Sequence, residues 1–288
     1  PARQEGGSGA LGWYANRLRS MGPAEVAWRV RREIASRVAG ARRGSEPPDS
    51  ALLASRAGWD ELLADFRASR GRPLILSRER VELAGRHDAD GLAEVISAAA
   101  RARERRFAYF GYPEVAFGDG IDWSHGGPGA ASAWPLLAAE RIDYRRQGPD
   151  PKWVWELNRL QHLTWLAQAW LAEGDERAAE EALDQIDGWI GANPVGMGVS
   201  WHGGFEPGIR AVTLCLALQG LRDAPALTPD RYRRAVRALA AMAGRSWSHR
   251  SLHSSANNHL LGEMAGVLAV SVMFPELRHA PEWRRRAT

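Results

Sequence analysis

Two asparagines and a histidine stand at the start of a long apolar run near the end of the chain. The segment reads SSANNHLLGEMAGVLAV, from Ser254 to Val270. Serine and asparagine are favoured at helix starts because their side-chain oxygens accept hydrogen bonds from backbone N–H groups that have no partner within the helix. A cap needs only one such residue. The group Asn257, Asn258 and His259 therefore suggests a polar site at the mouth of an apolar helix.

A second set of polar and aromatic residues falls on one face of a predicted helix over residues 153–172. At 100° per residue, that face carries Trp155, Asn158, Arg159, His162 and Trp165, opposite a face of Leu157, Leu160, Thr164, Ala167 and Leu171. Tryptophan faces cover the apolar C–H patches of sugars, so the first face is typical of a sugar-binding wall. A buried helix with satisfied polar groups explains the same pattern equally well.

A third feature is a possible ion pair in a helix that is apolar nearly all round, predicted over residues 206–220. Glu206 and Arg210 are four residues apart and share a face, so we expect them to pair. A buried pair of this kind most often orders a site or fixes the register of a helix. Just before it, the glycine-rich stretch GANPVGMGVSWHGG contains Trp201 and His202, two further candidate contacts for a substrate.

The elements that must position these residues are mostly helices. The 3.6-residue period predicts helices over 23–38, 59–69, 91–106, 176–190 and about 228–244, with only a short extended piece at RPLILS. Short turns alternate with long aromatic loops such as FGYPEVAFGDGIDWSHGGPGAASAWP, and loops of that length are often functional. We therefore predict an all-α fold, an incomplete α/α toroid of antiparallel helix pairs over 49–288, preceded by a basic helical segment and linker over 1–48.

Composition limits the remaining alternatives. The 288 residues carry a net charge of +4, and no apolar run approaches the roughly 20 residues that span a bilayer. Arginines are frequent between Arg29 and Arg43, but a solvated helix face explains them, and no nucleic-acid motif supports the other reading. Cys215 is the only cysteine, so no disulfide within the chain is possible. Localisation stays open: periplasmic or secreted if a signal was removed upstream, otherwise cytoplasmic.

Several segments, taken in order, resemble a known family. They are IDW at 121–123, DPKWVWELNRLQHL from Asp150, DGWIGANPVGMGVSWHGGFEPGIRAV from Asp187, and the segment around Asn258. Together the sequence resembles the N-terminal helical domain of the heparinase II/III superfamily of polysaccharide lyases, which includes alginate lyases. The resemblance implies β-elimination on an anionic, uronic-acid-containing polysaccharide such as an alginate, a glycosaminoglycan or a bacterial exopolysaccharide. It implies no cofactor and no metal.

The resemblance also implies roles for individual residues. Asn258 and His259 match the family's asparagine and histidine pair, in which an amide masks the substrate carboxylate beside an imidazole. Asn257 would shape the turn and Glu263, one helical turn after His259, would orient the imidazole. The predicted substrate contacts are Trp155, Arg159, His162, Trp201, His202, Glu206 and Arg210.

One departure from the family pattern changes what we expect of this chain. The family's catalytic tyrosine lies downstream of the asparagine, and a further histidine comes from a C-terminal β-sheet domain, whereas all five tyrosines here precede Asn257. We expect the N-terminal portion of a lyase, inactive alone and prone to self-association through uncovered helix faces. Two alternatives remain: a non-catalytic glycan-binding protein, and a toroid glycoside hydrolase that would need two of Glu156, Glu206 and Glu263.

Overall fold

The computed structural model describes residues 21–31, 47–69, 72–145 and 148–288. Residues 23–31 are helical, within the predicted helix 23–38, whose remainder lies outside the described residues. Most of the predicted linker lies outside them too, so the boundary between 48 and 49 stays a prediction.

Apart from one small hairpin, the regular secondary structure of the described residues is helical, and it includes the stretch 23–31. The helices are α1 (Asp49–Leu52), α2 (Trp59–Arg67), α3 (Arg78–His87), α4 (Ala89–Arg103), α5 (Pro151–Asn158), α6 (His162–Glu173), α7 (Glu176–Ala192), α8 (Phe205–Gly220), α9 (Pro229–Ser248), α10 (Asn258–Met273) and α11 (Ala280–Ala287). Strands β1 (Arg106–Phe107) and β2 (Val115–Ala116) pair antiparallel, with Arg106 opposite Ala116. The predicted all-α class with negligible sheet is confirmed for the described residues.

The helices form two layers. In one layer α4, α6, α8 and α10 contact each other in that order, and in the other α7 contacts α9. Each consecutive pair, α6 with α7 and α8 with α9, packs together, as expected of antiparallel helices joined by short connections. This alternation is the helix-pair arrangement of an α/α toroid. One large core fills the space between the layers and includes Trp153, Trp189, Trp201 and Tyr232.

Local sequence explains where several helices begin and end. Asp175 accepts hydrogen bonds from the backbone N–H groups of Arg177 and Ala178 at the start of α7, and Gly174, with a φ of 71°, ends α6. Thr228 caps α9 ahead of a first-turn proline. These polar and glycine signals fix the short connections, which hold the paired helices antiparallel.

The predicted single helix over 153–172 is wrong. The chain leaves helical geometry after Asn158, and Leu160 takes a φ of 60°, before α6 starts at His162. Leu160 is fully buried, so tertiary packing offsets the cost of the left-handed backbone at a non-glycine residue. The break changes which side chains share a face, because the residues after it are rotated relative to those before it.

Glycines let α8 and α10 cross in close contact. A Cβ added to Gly208 would lie 2.7 Å from the carbonyl oxygen of Gly262, and one added to Gly266 would lie 2.3 Å from that of Gly208. A Cβ on Gly262 would meet the Phe205 ring. The first turns of both helices therefore lie side by side at one end of the layer, which brings Phe205 next to the Asn258 segment.

No helix in the described ranges is long and apolar enough to cross a bilayer.

Candidate functional site

The mouth of α10 presents the polar group that the sequence singles out. Asn257 is the N-cap residue, and its side-chain oxygen accepts a hydrogen bond from the backbone N–H of His259 at 2.8 Å. Asn258 is the first helical residue, and Asn257, Asn258 and His259 are all exposed. Because Asn257 already caps the helix, the amide of Asn258 and the imidazole of His259 face solvent at the positive end of the helix dipole.

The ring of Phe205 packs against the imidazole of His259. The two rings stack with centroids 4.7 Å apart and planes inclined by 28°. Phe205 begins α8, and the guanidinium carbon of Arg159 lies 5.9 Å from the centre of its ring. Phe205 is not among the candidate residues selected from the sequence. Its sequence signal is an aromatic residue that follows Gly203 and Gly204 just before the predicted helix 206–220.

Arg159 holds two carboxylates behind this surface. Its Nε and Nη2 atoms donate to the two carboxylate oxygens of Glu206 at 3.0 and 2.9 Å, and its Nη1 donates to Glu156 at 2.5 Å. Burial opposes the charged guanidinium, but the hydrogen bonds and charge of Glu206 outweigh it, so the pKa of Arg159 is raised. Both carboxylates bind the one guanidinium of Arg159, so this cluster offers no free cation to an anionic substrate.

The predicted direct ion pair of Glu206 with Arg210 does not form: the Glu206 carboxylate binds Arg159, and it acts on Arg210 only through its charge. Arg210 instead donates to the backbone carbonyl oxygens of Asn158 at 2.5 Å and Ser200 at 2.9 Å, and it lies 4.4 Å from the Trp189 ring. The cause is the end of α5 at Asn158, which leaves a carbonyl without a helical partner that the guanidinium satisfies. Arg210 is fully buried, and burial lowers its pKa to about 9, so it has a structural rather than a substrate-binding position.

Two other predicted substrate contacts are also buried. Trp201 is 1% exposed and donates its indole N–H to the Asn193 carbonyl at 3.1 Å. His162 is 1% exposed and packs against Phe107 and Trp123. The helix break before His162 turns its side chain into the core. Neither side chain reaches the surface, which corrects the prediction that they touch a substrate.

Trp155 and His202 keep part of their surface in a second aromatic group. Tyr144 lies between them, with ring centroids 5.1 Å from Trp155 and 4.7 Å from His202. The Trp155 indole donates to the Val199 carbonyl at 3.2 Å, and Nδ1 of His202 lies 3.1 Å from the Ala139 carbonyl oxygen. The predicted tryptophan wall is therefore smaller than expected, and it includes Tyr144, which sequence reasoning did not select.

Glu263 anchors the loop before the site. Its carboxylate accepts hydrogen bonds from the backbone N–H of Ser251 at 2.6 Å and from the Ser251 hydroxyl at 2.9 Å, and the residue is 2% exposed. Its predicted action on the His259 imidazole stays a prediction. Within the part of the chain that the structure describes, no group of three or more His, Cys, Asp or Glu residues is arranged to hold a metal ion.

Known proteins resemble this chain in sequence and in fold. The family profile described as Heparinase II/III N-terminus matches residues 79–288. A heparin-sulfate lyase of Pedobacter heparinus is 25% identical over 180 residues, which cover 61% of this chain and 24% of that protein. A heparin-sulfate lyase of Bacteroides stercoris is 23% identical over 209 residues, covering 62% of this chain and 27% of that protein. The chain thus spans about a quarter of the length of these curated relatives.

Two solved structures have a fold similar to that of this chain. The crystal structure of the heparan sulfate lyase HepC from Pedobacter heparinus superposes with a TM-score of 0.61 at 24% identity, over 80% of this chain and 33% of that one. A heparinase III structure with methylated lysines gives a TM-score of 0.58 at 20% identity, over 85% of this chain and 40% of that one. At these identities the superpositions support the helical toroid architecture.

Proposed function

The chain belongs to the heparinase II/III N-terminal family, and from this premise we propose that it forms the N-terminal portion of a polysaccharide lyase. The substrate class is an anionic polysaccharide that contains uronic acid, cleaved by β-elimination. The two curated relatives are heparin-sulfate lyases, which supports a glycosaminoglycan ahead of an alginate or another exopolysaccharide. The observation that carries the proposal is the exposed pair Asn258 and His259 beside a separate N-cap residue.

The chemistry explains why this pair suits the reaction. β-Elimination transfers the C5 proton of the uronate to a base, a C4–C5 double bond forms as the C4–O bond breaks, and the departing oxygen takes up a proton. The C5 proton becomes acidic enough for this only when the charge of the neighbouring carboxylate is masked. An amide N–H from Asn258, at the positive end of α10, would donate to that carboxylate as negative charge builds up on it. Preorganised donors of this kind contribute on the order of 3 kcal/mol each to transition-state stabilisation.

His259 would assist from the adjacent position. Its ring is stacked on Phe205, which limits the orientations of the imidazole. The exposed parts of Trp155 and His202 would provide the wall for neighbouring sugar units. Arg159 and Glu206 would support the site indirectly, because their ion pair joins the end of α5 to the start of α8. Neither charge is then available to bind the substrate.

The carboxylates argue against the hydrolase alternative. A glycosidase needs two carboxyl groups flanking the scissile bond. Glu156 and Glu206 both bind Arg159, and Glu263 binds Ser251. All three candidate carboxylates are thus committed to contacts within the protein.

The test compares two neighbouring asparagines in the complete lyase. Asn258→Ala should lower kcat by about 10²–10³-fold with a small change in KM, because the amide acts on charge that grows in the transition state. The unsaturated uronate product is followed by its ultraviolet absorbance. His259→Ala should also reduce kcat.

Asn257→Ala is the matched control. It removes the same side-chain amide one residue earlier and should cost about 1 kcal/mol of stability while leaving kcat largely intact. If Asn257→Ala abolishes lysis and Asn258→Ala does not, the assignment is displaced by one residue. If all three variants only lower the melting temperature, the segment is a helix start and the proposed lyase site is lost.

A further inference from the structure

The helical stretch 23–31 contacts the turn that leads into the candidate site. Its Glu25 carboxylate is 7% exposed and accepts hydrogen bonds from the Ser254 hydroxyl at 2.5 Å and from Arg29 at 2.9 Å. Arg29 in turn donates to the Ser255 hydroxyl at 3.2 Å. The contact thus joins residues that are more than 220 positions apart in sequence.

An aromatic contact adds to this polar network. The rings of Trp28 and His253 meet edge to face with centroids 5.6 Å apart. His253 has a φ of 56°, a left-handed conformation that costs free energy in a residue other than glycine. Such a conformation persists only where surrounding contacts hold it, and the helical stretch 23–31 supplies those contacts from one side.

The loop between α9 and α10 therefore has two anchors. Glu263 holds it at Ser251, and Glu25 with Arg29 holds it at Ser254 and Ser255. Only Ala256 separates the second anchor from Asn257. The second anchor therefore lies directly ahead of the N-cap residue of α10, which precedes the exposed pair Asn258 and His259.

We propose that Glu25 and Arg29 are positioning residues, and that the helical stretch 23–31 fixes the turn 253–255 and thereby the placement of Asn258 and His259. The positional effect stands on the contacts alone. Its consequence for catalysis rests on the proposed function.

Hydrogen exchange of the full 288-residue chain tests the positional effect without any substrate. Glu25→Gln keeps the size of the side chain but removes the charge that the Ser254 hydroxyl and Arg29 bind. The backbone amides of residues 254–260 should then exchange about five- to tenfold faster, while those of α6 to α9 keep their rates. Arg31→Met is the matched control, because Arg31 is an exposed cation of the same stretch.

A double-mutant comparison identifies the contact itself. Ser254→Ala removes the partner from the other side, so Glu25→Gln combined with Ser254→Ala should accelerate exchange no more than the larger single effect. Fully additive effects would overturn the proposal. So would exchange in Glu25→Gln equal to that in Arg31→Met, or acceleration spread evenly over the whole chain.

The catalytic consequence has a separate readout in the complete lyase. Glu25→Gln should lower kcat with KM near the wild-type value, and Glu25→Asp, which keeps the charge, should restore part of it. If the proposed function is wrong, Asn258→Ala will leave kcat unchanged, while Glu25→Gln will still accelerate hydrogen exchange. Failure of the positional effect would appear in the exchange data alone.

Discussion

Protonation of His162 should make the fold less stable in acid, and replacing this histidine should remove that effect. The ring packs against Phe107 and Trp123, and neither ring nitrogen makes a hydrogen bond of normal length and angle among the described residues, although the Gln185 side chain lies close enough to act on the ring. Burial lowers the pKa of His162 to about 3, with the nearby Gln185 side chain acting in the opposite direction. His162 is therefore neutral in the folded protein throughout the neutral range.

The sign and size of the effect follow from linkage. The unfolded chain, with a histidine pKa of about 6.5, binds a proton that the folded state does not bind until the pH approaches 3. Stability is therefore lost as the pH falls below about 6.5, at up to about 1.4 kcal/mol per pH unit. Between pH 7.5 and 4.5 the loss from this one residue reaches roughly 2–3 kcal/mol.

The assay compares wild type with His162→Leu, an apolar residue of similar size, by urea unfolding at half-unit steps from pH 7.5 to 4.5. The difference in unfolding free energy should shift in favour of the variant by roughly 2–3 kcal/mol across that range, since other groups contribute equally to both proteins. His87→Leu is the control, because that histidine is exposed on α3. A difference that stays constant with pH, or a ring signal of His162 that titrates near pH 6.5 by NMR, would refute the dry burial of this side chain.

Three further predictions concern packing and the surface. Gly208→Ala should lower the free energy of unfolding by about 1–3 kcal/mol, because its Cβ would meet the Gly262 carbonyl oxygen. Gly244→Ala, in open space on α9, should be neutral or stabilising by up to about 1 kcal/mol. Equal effects of the two variants in chemical unfolding would contradict the close crossing of α8 and α10. Arg72→Met should lower the free energy of unfolding by roughly 3 kcal/mol, because the nearly buried Glu276 carboxylate loses the guanidinium that pairs with it. A melting temperature close to that of the wild type would contradict this. Light scattering should detect self-association that weakens in Leu261→Asp, because Leu261 is 75% exposed on an apolar helix, and a constant monomer mass would oppose it.

Local sequence signals determine much of the helical framework. The helix starts at Asp175, Thr228 and Asn257 can be predicted from the sequence, because each cap depends on one side chain and on backbone N–H groups two or three residues away. Hydrophobic periodicity likewise identifies the long helices, since one face of each must be apolar to pack. The all-α class and the polar group at the start of α10 follow from the same local signals.

Tertiary structure alone decides which polar groups meet. Arg159 was available to several partners, and it binds Glu206 only because α5 ends where α8 begins nearby. Periodicity alone predicts one continuous helix through Leu160. The helix breaks there because distant segments bury Leu160 and support its left-handed backbone, and the break turns His162 into the core. The contact between Glu25 and Ser254 spans 229 positions, and no local pattern encodes it. The sequence determines contacts within a helical turn, whereas pairings between segments depend on the packing of the whole domain.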